Sequence, residues 1–334
     1  MNALAGLCAV AILLQGPASS SVQAAPGVLI LHKKASSLGL YDSNTGQRRW
    51  VAPVGVKPHE MVLSPGNRYA YVTDYGVDTY TSPEEGGKTI SIVDLNVGRR
   101  IGTIDLGTFR RPHGIVLGLS GRAYVTVDHP AAVIEVDTDA RRVAAQHLLD
   151  QKLPHMVAVS PDERFLYSAN AGSGTVSIID RRAGSTVRTL EVGGVPMGLA
   201  LDRQGRRMFV ATRDANVVAV IDCEDQRIVQ RIPVAGSPAR VRLSPDDRIL
   251  AVTLIGSGDL VVFDTSTVRE VARLKIGTGA EGVTLDARTG FGYASAQGAN
   301  TVVKFSLSDW RRVLEIATDS APDPIEIIEV EHTR

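Results

Sequence analysis

The chain has 334 residues, 44% of them hydrophobic, with Lys plus Arg equal to Asp plus Glu at 36 each, so its formal net charge is zero. That composition supports a sizeable core. The balanced charge excludes long-range steering toward nucleic acid or an anionic membrane, and partners must be recognised by local chemistry.

Residues 1–26 contain no Asp, Glu, Lys or Arg, and "ALAGLCAVAILLQG" is an apolar run too short to span a bilayer as a helix. It reads as a signal peptide. Small side chains at Val22 and Ala24 place the expected cleavage after Ala24, leaving a mature domain of residues 25–334 with no transmembrane segment. The mature chain is expected in the periplasm or outside the cell. Only Cys223 then remains, so no intramolecular disulfide is expected, and its setting in "IDCEDQR" predicts an inert thiol in a turn.

From Pro58 onward the sequence repeats. Pro112, Pro154, Pro196, Pro238, Ala280 and Pro322 follow one another at a constant spacing, and Pro58 precedes Pro112 by one period plus an insertion, "YGVDTYTSPEEGG". Each period holds four runs of strand composition, as in "MVAV", "RFLYSAN", "TVSIID" and "TVRTLEVG", separated by turn residues. The first run is apolar throughout and the fourth carries charges, a gradient from inside to outside. Four antiparallel strands per repeat of this length make the blade of a β-propeller. Six periods are complete. The leftover "PDPIEIIEVE" reads as an innermost strand, and "GVLILHKK", "LGLYD" and "RRWVAPVG" as its three partners, so both ends of the chain are expected to share a seventh blade. The predicted fold is all-β, a single seven-bladed propeller.

"AYVTDYG" and "SANAGSGTVSIID", each followed by a V-G-x-x-P step, resemble the YVTN-type repeats of secreted and periplasmic bacterial seven-bladed propellers. The resemblance spans nearly the whole mature chain and implies the fold. It leaves activity open, because similar propellers include lactonases, lyases, haem-binding domains and binding proteins.

"Pro-His" occurs at the start of three successive innermost strands, at His59, His113 and His155, and the residues fifteen positions on are Asp74, Asp128 and Asn170. These pairs are expected as cross-strand neighbours at the top of the channel. The same repeat position holds Met197, Ala239, Glu281 and Asp323 in the other blades, so a contiguous arc of five ionisable groups is predicted, with Lys33, Tyr75, His129 and Arg213 on nearby loops. The side opposite the histidines is expected to be apolar or small. His59, His113 and His155 with carboxylates behind them suit a divalent metal, and equally suit general-base chemistry with Arg213 or Lys33 holding an anion. The plainer alternative is that these polar residues are solvated, with Asp74, Asp128 and Asn170 capping turns.

Asp42, Asp94, Asp137, Asp180, Asp222 and Asp264 end successive third strands and are read as turn makers. Arg pairs beginning several fourth strands are expected to pair locally, and 5% aromatic content argues against base stacking on nucleic acid. The insertion after Asp74 is expected as an exposed loop over the top face, a lid or docking element. The functional expectation is a monomer that binds a small ligand, metal or protein partner there, with a lactonase- or lyase-type enzyme as the alternative.

Overall fold

The computed structural model describes residues 26–329. They form seven four-stranded antiparallel sheets arranged as the blades of a propeller. Blade 1 combines Pro322–Ile328, innermost, with Gly27–His32, Ser37–Asp42 and Arg48–Pro53. Blades 2 to 7 are sequential, with innermost strands Pro58–Leu63, Arg110–Leu117, Pro154–Val159, Pro196–Leu201, Pro238–Leu243 and Ala280–Asp286. Val28 pairs with Ile327 and Ile30 with Ile325, so the two ends of the chain close the ring as the sequence predicts.

The radial gradient follows from composition. The middle strands are apolar and β-branched, as in Thr175–Asp180, which is buried throughout, whereas the outermost Ser185–Glu191 is exposed at all but one residue. Blades pack face to face through these middle strands. Tyr71, Ile90 and Ile92 of blade 2, for example, meet Val125, Val127 and Ile134 of blade 3. The third-strand aspartates are turn makers: Asp42, Asp180, Asp222 and Asp264 each accept two successive backbone N–H bonds from the turn that follows. Among the described residues no helix is long and apolar enough to cross a membrane.

One irregularity recurs in every blade and determines what lines the channel. The register of each innermost strand against its neighbour slips between the repeat-start residue and the third residue after it: Pro58/Met61, Pro112/Ile115, Pro154/Val157, Pro196/Leu199, Pro238/Val241 and Ala280/Val283. In blade 1 the same bulge lies where Ile325 and Pro322 face Ile30 and His32. Two consecutive residues of each innermost strand therefore stand against one of the next strand. The residue before the bulge is held in the left-handed region at Lys57, Arg111, Leu153, Ser237 and Ala321, φ 48 to 62°. Proline then fixes the following φ, so the bulge starts from a rigid base.

Hydroxyl groups lace the bulges together. Thr73 Oγ1 accepts from Glu60 N–H within blade 2 and donates to His113 O of blade 3. Thr126 does the same between Gly114 and His155 O, and Thr253 between Arg240 and Glu281 O.

Candidate functional site at the channel mouth

Because each bulge offers two residues, the channel is lined by two rings. The upper ring is the predicted one: His59, His113, His155, Met197, Ala239, Glu281 and Asp323. The second ring, one residue on, is Glu60, Gly114, Met156, Gly198, Arg240, Gly282 and Pro324. The glycines fall where neighbouring blades approach closest. A Cβ on Gly114 would lie 2.6 Å from His155 O, one on Gly198 2.6 Å from Ala239 O, and one on Gly282 1.7 Å from Asp323 O.

His59, His113 and His155 converge. The ring centroids of His59 and His113 are 4.4 Å apart, nearly perpendicular, and those of His113 and His155 are 3.9 Å apart. Tyr75, the first residue of the insertion, stacks on His59 at 4.4 Å and meets His113 edge-on at 5.4 Å. His59 Nδ1 lies 3.1 Å from Pro58 O and His155 Nδ1 2.9 Å from Met197 O. A ring nitrogen facing a carbonyl must carry the proton, so Nε2 of each of these two rings is a lone-pair acceptor. His113 Nδ1 is buried with no partner. Burial lowers all three imidazoles: His155 falls to about 3, with Arg240 adding to the effect, and His59 and His113 lie well below their usual value, pushed further by Lys33 and by the neighbouring histidines respectively. The cluster is neutral at ordinary pH.

The carboxylates behind the histidines are not where the fifteen-residue spacing puts them. Asp74 pairs across the ladder with Pro58 rather than His59, and its carboxylate accepts from Gly55 N–H, Thr89 Oγ1 and Ser91 Oγ inside blade 2. Asn170 does the equivalent in blade 4, its Nδ2 donating to Thr175 Oγ1 and Ser177 Oγ. Neither touches an imidazole; both are internal braces. In blade 3 the turn between the first two strands is residues 118–121, one shorter than residues 64–68 of blade 2, so a count from the histidine overshoots and Val127 takes the place of Asp74 opposite Pro112. Asp128 lies one residue further along its strand, on the other face. There it accepts a 2.8 Å hydrogen bond from Tyr75 Oη and lines the cavity, with burial raising its carboxyl to about 6.

The side opposite the histidines is not merely apolar. Arg240, a residue past the predicted position, projects across the axis, where its Nη2 contacts Glu60 and lies 3.3 Å from Asp323, and its Nη1 lies 2.9 Å from Met156 Sδ. Lys33 Nζ is 3.1 Å from Asp323. Glu281 completes this buried group of three carboxyls and two cations. Burial raises Glu60 to about 7 against the pull of Arg240, and burial together with Asp323 raises Glu281. Sequence reasoning missed Glu60 and Arg240 because it followed the upper ring alone; charged residues directly after the repeat position, between the glycines of that second ring, were the available signal.

Above this network lies a cavity of about 190 Å³ lined by the three histidines, Tyr75, Asp128, Glu281 and Lys33, with Leu153, Pro154, Ala171 and Met197 as its apolar wall and Asp78, Thr79 and Tyr80 of the insertion at its rim. Below it opens a wider cavity of about 570 Å³ reaching the bottom face. The insertion is pinned rather than free: the buried Arg111 donates to Tyr80 O, Ser82 O and Glu84 O, and Gly87 N–H bonds Tyr75 O. Of the predicted residues, Asp74, Asn170, Asp323, His129 and Arg213 do not line the cavity. His129 is exposed at a strand end, and Arg213 pairs with Asp214 at 2.8 Å. Among the described residues no group of three or more His, Cys, Asp or Glu side chains is arranged to hold a metal ion. The His59 and His113 rings meet edge-on and those of His113 and His155 at a tilt of 36°. Cys223 is buried against Tyr167, and burial pushes its thiol up to about 12, as an inert residue requires.

Residues 165–288, less than half of the chain, match the family model of the cytochrome D1 heme domain. No curated protein matches the sequence. Solved structures with the same fold include hydrazine synthase of Kuenenia stuttgartiensis (19% identity, TM-score 0.72, covering 88% of this chain and 98% of that one). The periplasmic gluconolactonase of Pseudomonas aeruginosa is similar at 18% identity and TM-score 0.73, over 92% of this chain and 100% of that one. A protein of unknown function from Desulfotomaculum acetoxidans aligns at 13% identity and TM-score 0.74, over 91% and 99%. At these identities the likeness establishes the seven-bladed fold alone. The three histidines of the site lie outside the matched segment, and a haem does not fit the cavity, since 190 Å³ is below the range of ordinary cofactor pockets, about 300–1,000 Å³.

Proposed function

We propose that this chain is a periplasmic or secreted monomeric propeller that binds a small molecule in the cavity above the channel, between the His59, His113 and His155 cluster and the Tyr75–Tyr80 rim. The observation that carries this reading is His113 Nδ1, a buried nitrogen without a partner on a residue that lines the cavity. Burying such a group unsatisfied costs about 1–3 kcal/mol, and a ligand whose polar group reaches it would remove that cost. The pinned insertion and the proline-fixed bulges give the pocket walls that need little rearrangement on binding.

The second reading is a lactonase-type hydrolase, favoured by the Tyr75–Asp128 hydrogen bond beside the imidazoles. In it a neutral imidazole would take a proton from the attacking water. A general base works best with a pKa near the working pH, and burial holds these well below it, so binding is the stronger reading. A divalent metal would require the imidazoles to turn from their present packing.

The test is a ligand screen read by NMR and calorimetry, run on wild-type protein and on Met197→Trp, which fills the cavity from its apolar wall. Binding of at least one small probe that Met197→Trp abolishes is expected; indifference of every bound probe to that substitution would refute the site. Turnover of glucono-1,5-lactone that is lost in His113→Ala would instead establish the enzyme, and metal analysis of protein purified without a histidine tag decides the ion. The intact mass of exported protein checks cleavage after Ala24.

A further inference from the structure

Resting on the small-ligand reading, the charge and shape of the cavity identify the ligand's class: we propose that it is a small protonated primary amine, its ammonium held by Glu281 and Asp128 against the imidazole and Tyr75 faces and its apolar remainder lying on Leu153, Pro154, Ala171 and Met197.

Three carboxyl groups line the cavity, Asp78, Asp128 and Glu281, against one cation, Lys33. Lys33 is committed to Asp323, at 3.1 Å, and Asp78 to Lys57, at 2.5 Å. Asp128 keeps only the Tyr75 hydroxyl, and the carboxylate of Glu281, buried at 6% exposure, lies in the field of Lys33, Arg240 and Arg213 but among the described residues accepts no hydrogen bond from any of them. The carboxyls that keep free acceptor oxygens for a ligand are therefore Asp128 and Glu281. Two further atoms agree with this: Nε2 of His59 and of His155 is an acceptor, since each ring already gives its proton to a carbonyl. Besides Lys33 and Tyr75, already committed, the side-chain donors in the lining are the Thr79 and Tyr80 hydroxyls at the rim and one N–H of His113. An ammonium supplies three N–H donors and one positive charge, whereas a carboxylate ligand would face unpaired acceptors and like charge.

Shape points the same way. Tyr75, with one face stacked on His59, borders the cavity, and a tyrosine ring within about 6 Å of an ammonium attracts it through the ring quadrupole. The volume, about 190 Å³, corresponds to about six water molecules at ~30 Å³ each, which admits a short alkyl or small ring substituent and little more. His113, 5% exposed with an unpartnered Nδ1, is an observation independent of the carboxylates.

The decisive comparison varies charge at nearly constant size: n-butylammonium, n-butanol and butyrate, titrated calorimetrically into the full mature protein at one ionic strength. Butylammonium is expected to bind at least tenfold more tightly than butanol, and butyrate more weakly than either. Glu281→Gln and Asp128→Asn should each weaken butylammonium tenfold or more without changing butanol, with circular dichroism confirming the fold of both. Tetramethylammonium, which has the charge but no N–H, should bind less tightly than butylammonium. Butyrate or butanol binding as tightly as butylammonium, with loss in Met197→Trp, overturns the amine and leaves the small-ligand reading intact. Failure of all three probes together with the wider screen overturns both.

Discussion

Asp74→Asn is expected to stabilise the protein at neutral pH, and the reason can be worked from two blades of the same molecule. Asp74 is 2% exposed, and burial raises its carboxyl to about 6 despite hydrogen bonds from Thr89, Ser91 and Gly55. A carboxyl whose folded pKa lies above its unfolded value, here 3.8, binds its proton more tightly when folded. Its contribution is therefore intact below about pH 4 and is lost as pH rises through about 6. The gap between 3.8 and about 6 corresponds to roughly 3 kcal/mol, an upper bound on the cost of ionising this group in place. Asparagine carries no such cost, and blade 4 shows how the amide fits: Asn170 donates through Nδ2 to Thr175 and Ser177, the counterparts of Thr89 and Ser91. Oδ1 can keep Gly55 N–H, now 3.0 Å away. Urea denaturation of wild type and variant at pH 4 and pH 7.5 tests this. Near-equal stability at pH 4 and a gain of about 1–3 kcal/mol at pH 7.5 are expected, the lower figure allowing for imperfect amide hydrogen bonds. A variant that is less stable at pH 7.5, or that shows the same difference at both pH values, refutes the reasoning.

Arg240→Ala should cost about 3–5 kcal/mol at pH 8, since it leaves Glu60 and Asp323 buried without their cation. The loss should shrink at pH 5, where Glu60, already raised to about 7, takes up a proton; a loss independent of pH in chemical denaturation would contradict the ion network. Deleting residues 325–334 removes the closing strand and the buried Ile325 and Ile328, so a single cooperative transition weakened by more than about 4 kcal/mol is expected, and an unchanged melting temperature would show that closure does not hold the ring. Arg111→Ala should speed hydrogen exchange across residues 76–86 while leaving exchange in the blades unchanged, and unaltered exchange there would mean the insertion is held by other contacts.

The fold was legible because its signals recur around the ring: spacing, six turn aspartates and the apolar-to-charged gradient all agree, and the two chain ends complement each other strand for strand. The site was legible only to the precision of the repeat. His59, His113 and His155 converge because each follows the proline that starts an innermost strand, which places them at one height on neighbouring blades. The bulge was hidden, since an extra residue in one strand leaves no mark in spacing measured along that strand, and with it were hidden Glu60 and Arg240. Counting fifteen residues from each histidine treated Asp74, Asp128 and Asn170 as equivalent. In fact Tyr71, Tyr124 and Tyr167 reveal the difference, since Tyr124 lies eleven residues after His113 while Tyr71 and Tyr167 lie twelve after His59 and His155. Arg111 carried no signal at all, because its partners are backbone carbonyls of a loop far from it in sequence.

Measured from the turn rather than from the histidine, blades 2 and 3 keep one register: Ala70 pairs with Leu63 and Ala123 with Leu117, and Asp74 and Val127 each lie four residues on, opposite Pro58 and Pro112. What sets blade 3 apart is the side chain in that place. Ala132 and Ile134 stand there where blade 2 has Thr89 and Ser91, so the interior of blade 3 offers a carboxylate no hydroxyl partners, and the acid falls instead one residue later, on the face that meets the cavity. Because neighbouring strand residues point to opposite faces, exchanging two adjacent side chains is enough to carry a charge from the inside of a blade to the pocket with the backbone unmoved.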